Sequence, residues 1–570
     1  MGALRVWAPN VAELSVEVDG SSTPMERTPD GWWTGPELAR GTEYLLRLDN
    51  DDDGVPDPAS RWQPHGVHGP SRVYDQAAFE WHDTDWAGRD LPGAVLYELH
   101  VATFTPGATF DSAVERLDHL VDLGVTHVEV LPVNAVNGVW NWGYDGVDWY
   151  AVHEPLGGPD GFKRFVDAAH GRGLAVVLDV VYNHLGPSGN YLPRFGPYLK
   201  TGRSTWGDLV NVEEPAVREF VIDNALMWLR DYHVDGLRLD AVHALEDSSP
   251  QHILAELGER VAELQDELGR PLTLIAESDL NDPIMVEPRP QGYGLDGVWD
   301  DDVHHALHST LTGETQGYYV DFGSLAVLQK VLTQAYLHDG TYSTFREKTH
   351  GRPVDRAAIP GYRFVVSLQN HDQVGNRAVG DRLPELTSPD LVRVGAVLLL
   401  TAPYTPMLWM GEEWAASSRW PFFTSHPEPE LAEATGKGRV EEFGRHGWDV
   451  SQMIDPQDPA AYREAVLQWD EPTQPGHGEV LDLYRRLIAL RASEPGLRDT
   501  DLTKVAVEID EQAGWLVMHR GDLRVVANLA GEPRDVPLTA GEVVLGTGDV
   551  TLSADTVRMS PRSAAVLRVR

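Results

Sequence analysis

The feature that most restricts how this chain can fold begins at about residue 94: apolar runs of strand length alternate with segments of helical period. The runs are AVLYELH (94–100), HVEVLPV (127–133), AVVLDVVYNH (175–184), DGLRLDAVH (235–243), LTLIAESD (272–279), DGVWDDDVHH (296–305), RFVVSLQNHD (363–372) and TPMLWMGEEW (405–414). Between them, FDSAVERLDHLVDLG sets Val114, Leu117, Leu120 and Val121 on one helical face, with Gly124 to close the end. EPAVREFVIDNALMWLRDYH spaces Val217, Phe220, Val221 and Ala225 in the same way. Strands alternating with helices signal an α/β architecture with a parallel sheet. Eight such units between residues 89 and 495 predict a (β/α)₈ barrel with large loop insertions.

The flanks read differently. Residues 1–88 offer short strands (LRVWAPN, ELSVEVDG, GWWTGPE, TEYLLRLDN) divided by Gly and Asp turns, which predicts a small immunoglobulin-like β-sandwich. Its acidic run DNDDDG matches the start of a calcium loop at Asp49, Asp51, Asp53 and Gly54. The twelfth position is Ser60 rather than Glu, and Pro56 and Pro58 follow, so a hairpin tip is expected. The stretch PDPASRWQPHGVHGPSRV is a Pro/Gly-rich crossing into the barrel. The helix VLDLYRRLIALRASEP is expected to end the barrel, and residues 496–570 return to short strands of an antiparallel β-domain.

Composition narrows the function classes. With 46 basic against 88 acidic side chains, the net charge of −42 repels phosphate backbones and anionic lipid, so neither nucleic acid nor membrane is an expected partner. No cysteine is present, which removes disulfides, thiolate metal sites and cysteine catalysis. The start, MGALRVWAPN, lacks a basic region followed by an apolar core, and a cytoplasmic location is the expectation. Nothing in the sequence indicates an oligomeric state.

In such a barrel the active site lies at the carboxyl ends of the strands. The third run ends in Asp179, Asn183 and His184, the fourth in Arg238, Asp240 and His243, the fifth in Glu277, and the seventh in Asn370, His371 and Asp372. Acids on different strands, with Arg and His among them, are costly to bury unless paired. An ion-pair lattice is the structural alternative to chemistry. A retaining glycosidase needs two carboxyl groups about 5–5.5 Å apart, one to attack and one to protonate the leaving oxygen. Neighbouring strands are about 4.8 Å apart, so Asp240 and Glu277 suit that pair. Arg238, on the same strand face as Asp240, is placed to keep it ionised.

DVVYNH (179–184), GLRLDAVH (236–243), IAESD (275–279) and SLQNHDQ (367–373) resemble, in order, the four short signature segments of the α-amylase superfamily. The resemblance spans essentially the whole chain. It implies Asp240 as nucleophile, Glu277 as acid/base and Asp372 as transition-state stabiliser, with Arg238, His184 and His371 touching substrate. Tyr144, in NWGYDG, resembles the aromatic platform beneath the cleaved sugar, with Asp145 beside it. Asn183 matches a calcium-binding position of many α-amylases, and a hydrogen-bonding role is preferred for it here.

Two further stretches, 296–322 and 407–426, are similar to the trehalose-releasing branch of that superfamily. This implies malto-oligosyltrehalose and α-1,4-glucans as substrates, hydrolysis next to the terminal trehalose, and no cofactor. A 1,4-α-glucan branching enzyme on the same fold is the alternative, and a non-catalytic glucan-binding protein is the reading from another class. Trp299, Asp301, Asp302, His304 and Glu412 are expected to select the trehalose end, with His243 and Asn370 also in the binding set. The His304, His305, His308 cluster raises a metal site, but no third ligand can be placed beside it, and a sugar-lining role is preferred.

Overall fold

The computed structural model describes residues 3–49, 51, 53–204, 206–445 and 450–569. Each of the eight runs contains a strand: β1 Leu96–Leu99, β2 His127–Val130, β3 Ala175–Val180, β4 Gly236–Leu239, β5 Thr273–Ala276, β6 Gly297–Trp299, β7 Phe364–Ser367 and β8 Thr405–Trp409. They close into a parallel barrel in chain order, β8 pairing back onto β1. The two-residue period of a strand decides what fills the barrel. Leu96, Val177, Ile275, Val365 and Met407 form an apolar layer with Trp299. Two residues further along, the same faces carry Glu98, Asp179, Glu277 and Trp409. One periodicity thus packs the floor and delivers polar groups to the mouth.

Two expectations are corrected. The helix predicted over FDSAVERLDHLVDLG is two, Phe110–Val114 and Leu117–Leu123. At the break, Arg116 lays its guanidinium 4.6 Å from the centre of the Trp469 ring. Leu117 and Leu120 are buried as expected, but the turn leaves Val121 42% exposed. Gly124 does close the end, at φ 93°. The sixth run is a strand only as far as Trp299. Asp300 then accepts from the backbone N–H of Asp302 at 3.1 Å and starts the helix Asp301–Thr312. The three histidines therefore lie on a buried helix face and not at a strand end.

Before the barrel stand a three-stranded and a four-stranded antiparallel sheet, and after it a five-stranded and a three-stranded one. Leu46 and Val55 bridge antiparallel across the acidic turn, and Asp49 accepts from the backbone N–H groups of Ala12 and Glu13 at 2.7 and 3.0 Å, while Asn50 and Asp52 lie outside the described residues. Trp33 is buried and donates to the Ala8 carbonyl, and Trp32 sits beneath the Arg5 guanidinium. The apolar core runs without a break from Val6 and Trp33 through the barrel. Among the described residues no helix is long and apolar enough to cross a membrane.

Candidate active site

Arg238 points into the barrel from β4, fully buried, its guanidinium 4.2 Å from the centre of the Trp299 ring. Its Nη1 donates to Asp179 Oδ2 at 2.8 Å and to Asp240 Oδ1 at 2.9 Å, and its Nη2 lies 3.1 Å from Glu277 Oε2. Three carboxyl groups around one guanidinium cannot all ionise at low cost. Burial pushes Asp240 up, yet the Arg238 and His184 charges and the Asn183 amide outweigh it and hold Asp240 below the ordinary carboxylate range. Glu277 goes the other way. Burial, with the charges of Asp240 and Asp372, outweighs Arg238 and pushes it up to about 8. One carboxylate and one carboxylic acid therefore stand side by side at neutral pH.

The backbone takes part. Ala241 adopts φ 42°, a left-handed conformation that costs a non-glycine residue about 1–3 kcal/mol. In it the Ala241 N–H reaches Glu277 Oε2 at 2.6 Å. Asn183 donates to Asp240 Oδ2 at 2.7 Å and to the Asp240 carbonyl at 2.9 Å, and its own Oδ1 faces His184 Nδ1 at 2.6 Å. This is the hydrogen-bonding placement expected for Asn183. His184 Nε2 meets the Tyr144 carbonyl at 2.8 Å. The Tyr144 hydroxyl donates to Asp179 Oδ2 at 2.6 Å, and its ring stacks on that of His371, centroids 5.0 Å apart. Asp372 opens the short helix His371–Gly375, where Asn376 donates to its Oδ1 at 2.7 Å.

The remaining sequence-predicted residues divide. Asp301 lies half-buried near Asp372, and burial followed by that charge pushes it up to about 7. His243 is exposed and accepts from the Asp279 N–H at 3.3 Å. The others are committed to the protein itself. Asp302 Oδ2 accepts from Asn281 Nδ2 and from the backbone N–H groups of Leu337 and His338, at 2.7, 2.8 and 3.0 Å. His304 is buried with its Nε2 on the Tyr319 hydroxyl, and His308 Nε2 is on Glu314. Glu412 is buried with the Tyr484 hydroxyl, and burial pushes it up to about 8. Asn370 caps the His371–Gly375 helix through the Gln373 N–H, Asp145 takes the Asn141 amide, and Trp299 serves as the shelf under Arg238. Asp302, His304 and Glu412, expected to contact substrate, make internal hydrogen bonds where the segments following β6 and β8 turn inward. Among the described residues no group of three or more His, Cys, Asp or Glu is arranged to hold a metal ion.

Glu98, fully buried on β1, was not among the candidates, although it takes both the backbone N–H and Nδ1 of His371. The signal for it was a lone acid inside the apolar run AVLYELH, two residues from an inward-facing leucine.

A closed (β/α)₈ barrel with this mouth, whose residues 107–195 match the model of the α-amylase catalytic domain, defines a glycoside hydrolase of the α-amylase class. Residues 500–566 match a domain of unknown function. The chain is 53% identical to the malto-oligosyltrehalose trehalohydrolase of Arthrobacter ramosus, over 99% of each chain. It is 51% identical to the enzyme of the same name from Rhizobium sp. (strain M-11), over 100% of this chain and 98% of that one. It belongs to the malto-oligosyltrehalose trehalohydrolase family. Among solved structures, a putative alpha amylase from Salmonella typhimurium superposes with a TM-score of 0.91 at 36% identity, over 100% of this chain and 99% of that one.

Proposed function

We propose that this enzyme hydrolyses the α-1,4-glucosidic bond next to the terminal trehalose of malto-oligosyltrehalose, releasing trehalose and a shortened maltodextrin. The observation that carries the chemistry is the Arg238 guanidinium shared by Asp240 and Glu277, in surroundings that hold Asp240 below and push Glu277 above the ordinary carboxylate range. Asp240, ionised, attacks the anomeric carbon on the maltodextrin side of the bond. Glu277 gives its proton to the glycosidic oxygen, and trehalose leaves. Glu277, now a carboxylate, takes a proton from a water molecule that attacks the glycosyl–Asp240 ester, and the fragment departs with its anomeric configuration retained. Asp372, His371 and His184 hold sugar hydroxyls while the ring flattens towards an oxocarbenium ion, and Arg238 keeps Asp240 charged until it attacks and again once the ester is hydrolysed. We take residues 1–88, 89–495 and 496–570 as the three domains.

The choice of leaving group rests on the names of the full-length relatives, which also favour water over a second glucan chain as acceptor. Chromatography of the products from malto-oligosyltrehalose is the test. Equimolar trehalose and shortened maltodextrin are expected. New α-1,6 branches from linear glucan, with no gain in reducing ends, would instead make it a branching enzyme.

A further inference from the structure

We propose that Glu98 is a positioning residue that holds His371 as a doubly protonated ring, and so sets a second cationic donor beside Arg238 at the cleavage site. The inference rests on the functional reading above. Glu98 commits both carboxyl oxygens to one residue 273 positions away. Oε2 accepts the His371 backbone N–H at 3.0 Å, and Oε1 accepts from its Nδ1. In the proposed arrangement Glu98 is a carboxylate, which can only accept, so Nδ1 carries a hydrogen and Nε2 is left for the site. The ring has little freedom to turn. Tyr144 stacks on one face at an interplanar angle of 18°, Trp142 meets it edge-on at 5.9 Å, and Trp420 Nε1 donates to the His371 carbonyl at 2.9 Å.

Charged and titratable groups face this ring from every neighbouring element: Glu98 and, just beyond it, His100 from β1, Asp179 from β3, Arg238 from β4, and Asp372 from the ring's own helix. Glu129, on β2 and opposite Glu98 in register, has neither carboxyl oxygen in a hydrogen bond. Burial and the neighbouring Glu98 charge drive Glu129 well above the ordinary range, so it stays neutral and does not compete for the ring. Burial works against a charged His371, but Glu98 and then Asp372 outweigh it against the opposition of Arg238, and the ring is held above the ordinary histidine value. A charge-assisted N–H is roughly twice as strong as a neutral one. Directed at a sugar hydroxyl oxygen, it fixes the orientation of the sugar above Asp240, and a small misplacement of the reacting atoms is costly in rate.

The test uses the full-length enzyme with ¹⁵N-labelled histidine and no substrate, alongside Glu98→Gln, which replaces the carboxylate by an amide of the same shape. The His371 signals are assigned by their loss in His371→Asn. Both ring nitrogens of wild-type His371 are expected to be protonated at pH 7, with a titration midpoint that moves down in Glu98→Gln. In parallel, kcat on malto-oligosyltrehalose should fall about 10–100-fold, the scale on which the outer hydrogen-bond partner of a functional histidine acts, with KM changing far less. A neutral wild-type ring at pH 7 overturns the proposal, and that measurement stands even if the variant does not fold. A lower kcat with an unshifted ring titration also overturns it, since the role is then purely structural. A wild-type enzyme that releases no trehalose contradicts the functional reading instead, and the ring titration is read independently of it.

Discussion

Asn183 donates its side-chain amide to Asp240 Oδ2 at 2.7 Å, while the other oxygen of the same carboxylate, Oδ1, is held by Arg238 at 2.9 Å. Both oxygens are thus engaged by donors that suit the ionised form, and the group is aimed before substrate arrives.

Asp240→Asn is therefore expected to lower kcat by at least ~10³-fold, because an amide cannot form the glycosyl ester. The fold should persist, since Arg238 keeps Asp179 and Glu277 as partners. Steady-state rates with circular dichroism check both parts. A folded variant with more than a tenth of wild-type activity would falsify the assignment.

Glu277→Gln should lose most activity on malto-oligosyltrehalose and keep much more on glucosides with an activated leaving group. Such groups depart without the proton that Glu277 supplies. Parallel assays on the two substrate types decide the matter, and equal losses on both count against the acid role.

The pH dependence follows from the same pair. Glu277, raised from 4.5 to about 8, holds its catalytic proton across neutral pH, so kcat/KM should fall above about pH 8. On the acid side the loss should wait until Asp240, held below 3.8, takes up a proton. Stability has its own sign. Between 4.5 and about 8 the unfolded chain has lost a proton that the fold retains, so stability from this group falls as pH rises through that window. Calorimetric Tm against pH should decline less steeply in Glu277→Gln than in the wild type.

Asp301 and Asp302 are neighbours with opposite expectations. Asp302→Ala leaves three N–H donors without their acceptor, at about 1–3 kcal/mol for a buried group so orphaned, and should appear as a lowered Tm. Asp301→Ala should keep its Tm and lose kcat/KM on malto-oligosyltrehalose more than on maltodextrin. If its two specificity constants fall by the same factor, the trehalose end is chosen elsewhere.

Gly375 closes the helix that carries His371 and Asp372, and a Cβ there would stand 1.8 Å from Trp142 Cη2. Gly375→Ala should displace either the indole or the helix, cutting activity and Tm together. A variant with wild-type values for both shows that this contact relaxes freely.

Much of the site was legible because strand ends announce it. Arg238, Asp240 and Glu277 follow from where apolar runs stop, since a two-residue period and a parallel barrel leave one place for those side chains. The segments beyond β6 and β8 were not legible in that way. Polar residues in DDVHH and GEE looked like a rim, yet a helix begins at Asp301 and a buried turn at Glu412, and Asp302, His304 and Glu412 make hydrogen bonds within the protein. Sequence pattern alone does not tell a hydrogen bond to substrate from one to a backbone N–H 35 residues away.

The sequence by itself determined the barrel, the order of its strands, the flanking antiparallel sheets and the residues that crowd its mouth, because periodicity and strand-end chemistry are local properties. Only the tertiary structure decided which acid is charged and which is neutral, and that Glu98 rather than a neighbouring loop holds His371. Those outcomes depend on burial and on distances between residues as far as 273 positions apart, and a carboxyl group's proton follows the charges around it rather than its neighbours in the chain.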